Sequence, residues 1–169
     1  DLFDNETFIK NNTGYFAAAT NVETGKAEYL EMKDVIKDME ILRASAAIPF
    51  VSQMVEINGN KYLDGGVGDS IPVAQAKKMG YEKIIVILTR PLEYRKKPLS
   101  DSLQKLLKVK YGKYPACMKA MLERHHHYNM TIDLISKMEK KGEVFVIRPS
   151  EPIDVKTIER DREKMRKAH

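Results

Sequence analysis

The sequence predicts an α/β protein, and three patterns indicate this fold class. Residues 84–88 are consecutive apolar residues, a run typical of a parallel strand that is covered on both faces of a sheet. Residues 144–147 form a second run of the same type. Between the two runs, apolar side chains recur at helical spacing over residues 115–140. Strands that alternate with helices in this way favour a sheet with helices packed on its faces.

The first fifty residues predict two strands and a helix. Residues 15–20 and 27–30 have the composition of paired strands, and Gly25 turns the chain between them. Residues 34–46 predict a helix because apolar residues recur on one face at helical spacing. The members of that face are Val35, Met39, Leu42 and Ala46. We expect the helix to end before Pro49, since the residue that precedes a proline avoids helical backbone angles.

Further helices follow. Residues 72–79 predict a short helix that stops at Gly80, and together with the strands on either side they predict a right-handed parallel crossover. Residues 100–109 predict another short helix, and residues 115–140 a long one that ends near Gly142. The apolar stripe of the long helix consists of Met118, Met121, Leu122, His125, Tyr128, Ile132, Ile135 and Met138. Residues 155–169 are mostly charged and are interpreted as a helix with few core contacts.

Composition sets limits on the class of protein. A chain of 169 residues with 43% apolar content is long enough for one globular domain with a substantial core. The lone Cys117 excludes an internal disulfide framework and fits a reducing compartment. No run approaches the roughly 18 apolar residues of a membrane span. The localisation is open, with the cytoplasm or a peripheral membrane position favoured.

A hairpin that ends in a carboxylate is the main candidate site. The runs 55–57 and 61–63 flank Asn58 and Gly59, a pair that readily takes the positive φ angles of a tight turn. The second strand leads directly into Asp64, which is followed by Gly65 and Gly66. Two glycines allow another backbone or a substrate to approach closely. The pattern therefore predicts a carboxylate held on a rigid support.

These residues resemble the second half of the patatin-like phospholipases. The resemblance rests on Ala44-Ser45, Ala47, Pro49, Asp64-Gly65-Gly66-Val67 and Pro72-Val73. It extends over residues 14–90, is most specific over residues 42–73 and becomes loose from residue 91. The resemblance implies a three-layer α/β/α sandwich, here incomplete, and a hydrolase that cleaves lipid esters with a Ser-Asp dyad. It also implies that Asp64 is the dyad base and that Gly65 and Gly66 support the motif.

The resemblance implies a nucleophilic serine in a G-x-S-x-G elbow, and this chain has none. The nearest pattern surrounds Ser70, but Pro72 follows, so we interpret Asp69 or Ser70 as the cap of the next helix. We therefore expect residues 1–169 to be the C-terminal part of a single patatin-like domain whose N-terminal half is missing. We expect this fragment to be inactive by itself.

The implied mechanism gives Asp64 the role of general base. It would accept the serine proton, and the alkoxide would attack an ester carbonyl to form an acyl-enzyme that water then hydrolyses. A carboxylate is a weak base at neutral pH, so this role predicts a site partly shielded from water. The mechanism needs no cofactor. The rival interpretation is a turn aspartate in a non-enzymatic α/β module that binds a membrane surface or a protein partner.

Metal binding is not predicted. His125, His126 and His127 are adjacent on a helix, so their side chains point about 100° apart and cannot converge on one ion. We interpret His125, on the apolar stripe, as a packed or hydrogen-bonded residue. Asp64 and Asp69 lack the spacing of a calcium loop.

Positive charge is concentrated in one stretch. Residues 90–124 contain ten Lys or Arg and three Asp or Glu, in a chain of formal net charge +5. The stretch is either a solvated helical face or a surface attracted to anionic lipid headgroups. A nucleic-acid partner is disfavoured, because the stretch has no recognition motif and few interleaved aromatic residues.

Overall fold

The computed structural model describes residues 3–11, 13–153 and 161–167. The chain divides into two compact units. The first unit comprises Asp1–Pro72 and Lys96–Tyr128, and the second comprises Val73–Arg95 and Asn129–His169.

Helices and strands are mixed throughout the described residues, which confirms the predicted α/β class. The helices are α1 (Asn5–Lys10), α2 (Met39–Ser45), α3 (Val73–Lys78), α4 (Asp101–Tyr111), α5 (Pro115–Lys140) and α6 (Arg162–Lys167). The strands are β1 (Tyr15–Asn21), β2 (Ala27–Met32), β3 (Val55–Ile57), β4 (Asn60–Asp64), β5 (Ile84–Ile87) and β6 (Val144–Ile147), and a 3₁₀ turn spans Gly65–Val67.

The first unit contains a four-stranded antiparallel sheet in the order β2-β1-β4-β3. Both predicted hairpins are confirmed. Gly25 turns the chain between β1 and β2 with a φ of 67°, and Asn58 and Gly59 join β3 to β4 with φ values of 50° and 77°. Strand β4 pairs with β3 over residues 60–62 and with β1 over residues 62–64, so the end of β4 is paired with β1.

Helix α2 packs near this sheet but begins later than predicted. The Asp34 carboxylate accepts hydrogen bonds from the backbone N–H groups of residues 36 and 37, and Asp38 accepts from those of residues 33 and 34. These bonds hold residues 35–38 in turns, so the helix starts at Met39. The predicted apolar face is also wrong, because Met39 is half exposed and the fully buried residue of α2 is Ala44.

The core of the first unit lies between the sheet, α2, α4 and the first part of α5. Its buried members are Ala19, Val22, Ala44, Ala47, Val55, Tyr62, Leu63, Val67, Leu107, Tyr111, Cys117 and Met121. Gly25 lies against α5, where a Cβ atom would be 2.4 Å from the carbonyl oxygen of Ala116. This close approach requires glycine in addition to the positive φ of the turn.

The second unit contains a two-stranded parallel sheet of β5 and β6. The predicted parallel crossover between the strands on either side of α3 is wrong. Strand β5 pairs with β6, and β4 belongs to the other sheet. In β5, Val86 is buried, whereas Ile85 and Ile87 are exposed. Strand β6 alternates in the same way, with Val144 buried and Phe145 exposed. Each strand is therefore covered on one face among the described residues.

Helices α3 and α5 end as predicted. Gly80 and Gly142 have φ values of 87° and 73°, the left-handed conformation that closes a helix at little cost when the residue is glycine. The predicted stripe of α5 is confirmed, because each of its members is at least partly buried and Met121, Ile132, Ile135 and Met138 are fully buried.

The interpretation of residues 155–169 is only partly covered by the structure, since residues 155–160, 168 and 169 lie outside the described residues. Within the rest of that segment, α6 is a short helix. None of the helices in the described part of the chain has the length and hydropathy needed to cross a membrane.

Candidate functional site

Strand β4 places Asp64 at the rim of the four-stranded sheet. Asp64 lies opposite Ala19 of β1, and its backbone N–H donates to the carbonyl oxygen of Ala47 at 2.9 Å. The segment after α2 is therefore connected to the Asp64 turn through backbone atoms. Ser45 lies at the end of α2, and the bond to Asp64 comes from Ala47 two residues later.

The Asp64 carboxylate begins the 3₁₀ turn. One carboxylate oxygen, Oδ1, accepts the backbone N–H of Gly66 at 2.8 Å. Gly65 is packed against β1 so closely that a Cβ atom there would lie 2.2 Å from the carbonyl oxygen of Ala18. The first glycine thus allows backbone contact, and the second donates the hydrogen bond that orients the carboxylate.

Thr20 clamps the same turn from β1. Its side chain is fully buried, and its hydroxyl donates to the carbonyl oxygen of Asp64 at 2.8 Å while it accepts from the backbone N–H of Gly68 at 3.0 Å. A buried hydroxyl that uses both its donor and its acceptor holds the two ends of a turn in register. Thr20 of β1 therefore connects the two ends of the turn that carries Asp64.

The second carboxylate oxygen of Asp64, Oδ2, has no hydrogen-bond partner among the described residues. The residue is half-buried, in agreement with the predicted partial shielding from water. One oxygen is thus held by the backbone, and the other is not.

Arg124 is a member of this site that the sequence did not reveal. Its Nε donates to the carbonyl oxygen of Gly66 at 2.6 Å, although α5 follows the Asp64 turn by about fifty residues. A Cβ atom on Gly66 would be 2.9 Å from both an Arg124 nitrogen and Asp64 Oδ1, so the guanidinium and the carboxylate lie on the same side of the turn. Its only sequence signal is a charged side chain next to the apolar stripe of α5.

The Ser70 side chain also binds this turn, and it does so as a hydrogen-bond donor. Its hydroxyl donates to the carbonyl oxygen of Gly66 at 2.7 Å. Asp69 accepts the backbone N–H of Ile71 and the hydroxyl of Tyr29. Burial, together with the hydrogen bond to Asp69, raises the pKa of Tyr29. Asp69 and Ser70 are the two candidate caps ahead of α3. Asp69 is the one that accepts a backbone N–H there, from Ile71.

The segment from Pro49 to Val51 carries a strained residue. Phe50 has a φ of 71°, which is rare for a bulky side chain. Its backbone N–H donates to the hydroxyl of Tyr111 at 3.2 Å, and the two rings meet edge to face with centroids 5.5 Å apart. Burial raises the pKa of Tyr111. These contacts stabilise a backbone conformation that is unfavourable by itself.

The three adjacent histidines lie along α5 in separate environments. His125 is half-buried, and its Nδ1 is 3.0 Å from the carbonyl oxygen of Leu122, whereas His127 lies 3.7 Å from a Glu123 carboxylate oxygen. In the part of the chain that the structure describes, no group of three or more His, Cys, Asp or Glu side chains is arranged to hold a metal ion.

The basic residues of stretch 90–124 do not all act in the same way. Arg95 pairs with Asp133 at 3.0 Å, Lys119 lies 4.0 Å from Glu123, and Arg124 binds the Gly66 carbonyl. Other members remain exposed on α4, at Lys105 and Lys108. Part of the positive charge of stretch 90–124 therefore pairs with acidic or carbonyl groups of the protein itself.

Comparison with known proteins gives two family matches and one relative. Residues 4–77 match the patatin-like phospholipases, and residues 114–169 match a domain of unknown function, DUF6363. The chain is 33% identical over 128 residues to YjjU, an uncharacterized protein of Escherichia coli (strain K12). That alignment covers 68% of this chain and 32% of the YjjU protein, so the chain spans about a third of its relative.

The patatin-like match lies in the N-terminal part of this chain and contains the whole Asp64 turn, Thr20 and Ser70. It starts before the resemblance inferred over residues 14–90 and ends before β5. The DUF6363 match covers α5, β6 and α6, where the resemblance is loose. Whether residues 1–169 form a single domain stays a prediction. Residues 4–77 therefore match the patatin-like phospholipases, which confirms the resemblance over this part of the chain.

Proposed function

We propose that the protein to which this chain belongs is a lipid acyl hydrolase in which Asp64 is the general base of a Ser-Asp dyad. The observation that carries the proposal is the state of the Asp64 carboxylate. Oδ1 accepts the Gly66 N–H at 2.8 Å, and Oδ2 has no partner among the described residues. The match of residues 4–77 to the patatin-like phospholipases supports the choice of a lipid ester as substrate.

In the proposed reaction a serine supplied from outside this chain transfers its hydroxyl proton to Asp64 Oδ2. The alkoxide attacks the ester carbonyl, and collapse of the tetrahedral intermediate releases the alcohol, which takes the proton from Asp64. Asp64 then accepts a proton from water, and the hydroxide attacks the acyl-enzyme. The fatty acid leaves as the serine recovers its proton, so Asp64 ends the cycle as it began.

The surrounding residues have a positioning role in this proposal. Thr20 and Arg124 bind the carbonyl oxygens of Asp64 and Gly66, and the N–H of Gly66 binds Oδ1. A shift of about 1 Å in a base can lower turnover a hundredfold, so a turn held from two elements is suited to the task.

A second candidate function follows from the same hydrogen bond. An aspartate that accepts the N–H two residues ahead is a common turn device, and it needs no catalytic role. In that case the chain is a non-enzymatic module whose Asp64 stabilises the 3₁₀ turn. The two functions predict different effects on turnover for a substitution that removes the basicity of the Asp64 carboxylate and keeps its shape.

The substitution Asp64→Asn in the parent protein separates them. Asparagine retains an oxygen for the Gly66 N–H but cannot accept the serine proton. If Asp64 is the base, turnover of a fatty acyl ester should fall by about 10²–10⁴-fold with little change in melting temperature. Asp69→Asn is a matched control, since Asp69 is a half-buried carboxylate five residues away that the mechanism does not use. Its turnover should stay within a few-fold of the parent.

The nucleophile is tested separately. A serine-reactive fluorophosphonate should label the parent protein at a serine outside this chain and should leave the chain alone unlabelled. The chain alone should not hydrolyse p-nitrophenyl butyrate, and turnover that disappears in Ser70→Ala would contradict the assignment. Full activity in a well-folded Asp64→Asn parent protein would favour the turn-aspartate function.

A further inference from the structure

We propose that the outer face of α4 docks onto an anionic lipid surface. This face consists of an apolar row, Leu103, Leu106 and Val109, with three lysines around it, Lys105, Lys108 and Lys110. This inference rests on the proposed function for the reason why the protein would dock, because a hydrolase of membrane lipids must reach the surface that holds its substrate. The lipid surface itself is inferred from the shape and charge of the face.

Helix α4 is anchored along its inner side. Leu107 and Tyr111, one helical turn apart, are fully buried in the core of the first unit. The Ser100 side chain caps the helix by accepting the N–H of Leu103, and Gln104 binds the carbonyl oxygen of Leu99. A helix held in this way presents a fixed opposite side to its surroundings.

The apolar row occupies this exposed side. Leu103, Leu106 and Val109 follow one another at a spacing of three residues, so they form one row along the helix. Their exposed fractions are 41%, 49% and 84%. Outward positions of a helix are ordinarily polar, and valine is a weaker helix former than the charged residues usually found there. Helix stability therefore does not account for the row.

The charges around the row are of one sign. Lys105 and Lys108 are exposed and make no ion pair with any described residue, and Lys110 lies beside the ring of Phe50, 5.7 Å from its centroid. The only acidic residue of α4 is Asp101, in its first turn. Apolar side chains that enter the acyl boundary while lysines contact headgroup phosphates are the usual arrangement of an interfacial helix.

Other occupants fit this face less well. A second copy related by two-fold symmetry would place the same lysines against one another, which is unfavourable without counter-charges. A nucleic acid would pair with the lysines but would leave the apolar row against a charged backbone. An anionic lipid surface satisfies both parts of the face at once.

The face is also linked to the Asp64 turn by a short series of contacts. The Tyr111 hydroxyl at the end of α4 accepts the N–H of Phe50, and three residues earlier the Ala47 carbonyl accepts the N–H of Asp64. Docking of α4 would therefore hold the proposed base at a fixed distance from the lipid surface. Lipid recognition and catalysis would use one rigid part of the first unit.

The test measures binding of the full chain to vesicles of phosphatidylcholine, with and without phosphatidylglycerol. We expect binding to the anionic vesicles that weakens as salt is raised. The combined variant Lys105→Gln, Lys108→Gln, Lys110→Gln should lower the partition coefficient about a hundredfold. Val109→Asp should lower it at least about tenfold, because it adds a charge to the inserted row.

Matched controls come from the exposed side of α5 and from Lys141, the residue that follows the helix. The variant Lys137→Gln, Lys140→Gln, Lys141→Gln removes the same charge, and Met130→Asp alters an exposed apolar residue of that helix. Both control variants should have a vesicle partition coefficient within about threefold of that of the unsubstituted chain. The far-ultraviolet circular dichroism of each variant should equal that of the parent, since the substituted residues are exposed.

Three results would overturn the proposal. These are equal binding to neutral and anionic vesicles, no loss of binding in the α4 variants, or α4 variants that dissociate an oligomer seen by light scattering without any effect on vesicles. Vesicle binding requires no turnover, so Asp64→Asn should bind like the parent. A failure of docking and a failure of the proposed catalysis are thus seen in different measurements.

Discussion

Strands β4 and β5 differ in a way that their compositions do not anticipate. Strand β4 contains Lys61 and Asp64, yet its Tyr62 and Leu63 are fully buried because they pack in the core of the first unit. Strand β5 is wholly apolar, yet Ile87 is 73% exposed because β5 has one paired strand and one covered face among the described residues. Burial follows the neighbours of a strand more closely than its hydropathy.

The difference bears on where a functional group can be held. Asp64 sits at the end of the strand that has partners on both sides, and its backbone and side chain are both hydrogen-bonded. The exposed apolar residues of β5 and β6, Ile85, Ile87, Phe145 and Ile147, form one face by their register. Exposed apolar faces of this kind favour association with another surface.

The largest expected effect is on the free energy of unfolding, and it is measured by truncating one residue in each of the two strands. Leu63→Ala removes a fully buried side chain and should lower the free energy of unfolding by about 2–5 kcal/mol. Ile87→Ala removes a mostly exposed one and should change it by less than about 0.5 kcal/mol. Urea denaturation of the two variants and the parent measures both values. Similar losses would mean that the β5 face is covered in solution, and light scattering at several concentrations would then show self-association.

A second prediction concerns the two glycines that follow β4. Gly65→Ala places a Cβ atom against the carbonyl of Ala18, which is backbone and cannot move aside, so we expect a loss of about 1–3 kcal/mol. Gly66→Ala meets the ends of the Arg124 and Asp64 side chains, which can move, so we expect a smaller loss of stability. The same denaturation experiment distinguishes them. An equal loss in the two variants would show that Arg124 and Asp64 are held as firmly as the backbone.

The smallest effect is a change in alkaline stability. Burial, and then the hydrogen bond to Glu28, raises the pKa of Tyr62 to about 12, above the value of about 10 for an unfolded chain. The folded state therefore binds this proton more tightly, and its contribution is fully present below pH 10 and is lost as the pH rises through about 12. Tyr62→Phe should reduce the fall in stability over this range.

Urea midpoints measured from pH 8 upwards test this prediction. Tyr29 and Tyr111 also have raised pKa values and remain in the variant, so the fall should become smaller without disappearing. Tyr15→Phe is a suitable control because Tyr15 is exposed. An alkaline profile of Tyr62→Phe identical to that of the parent would show that the raised pKa of Tyr62 makes no contribution.

Much of the fold was predictable because its signals are local. The Asn58-Gly59 turn, the glycine ends of α3 and α5 and the stripe of α5 depend on backbone angles and spacing within a few residues. The start of α2 was not predicted, because the carboxylates of Asp34 and Asp38 compete for the backbone N–H groups that would begin the helix. The partner of β5 was not predicted either, since strand pairing joins segments far apart in the chain.

The candidate site divides in the same way. Asp64, Gly65 and Gly66 were found from the sequence because they are consecutive and follow a strong hairpin signal. Arg124 and Thr20 were missed because nothing near them in the chain indicates that they bind the same turn. An arginine in a basic stretch resembles any solvated charge until the element that faces it is known.

By itself, the sequence determined the α/β class, both hairpins, the long helix and the Asp64 turn, since each depends on conformational preferences over short spans. Tertiary structure alone decided that Thr20 and Arg124 hold that turn and that Phe50 takes a positive φ against Tyr111. The physical reason is that each of these features depends on which distant segment lies alongside, and chain spacing does not specify that neighbour.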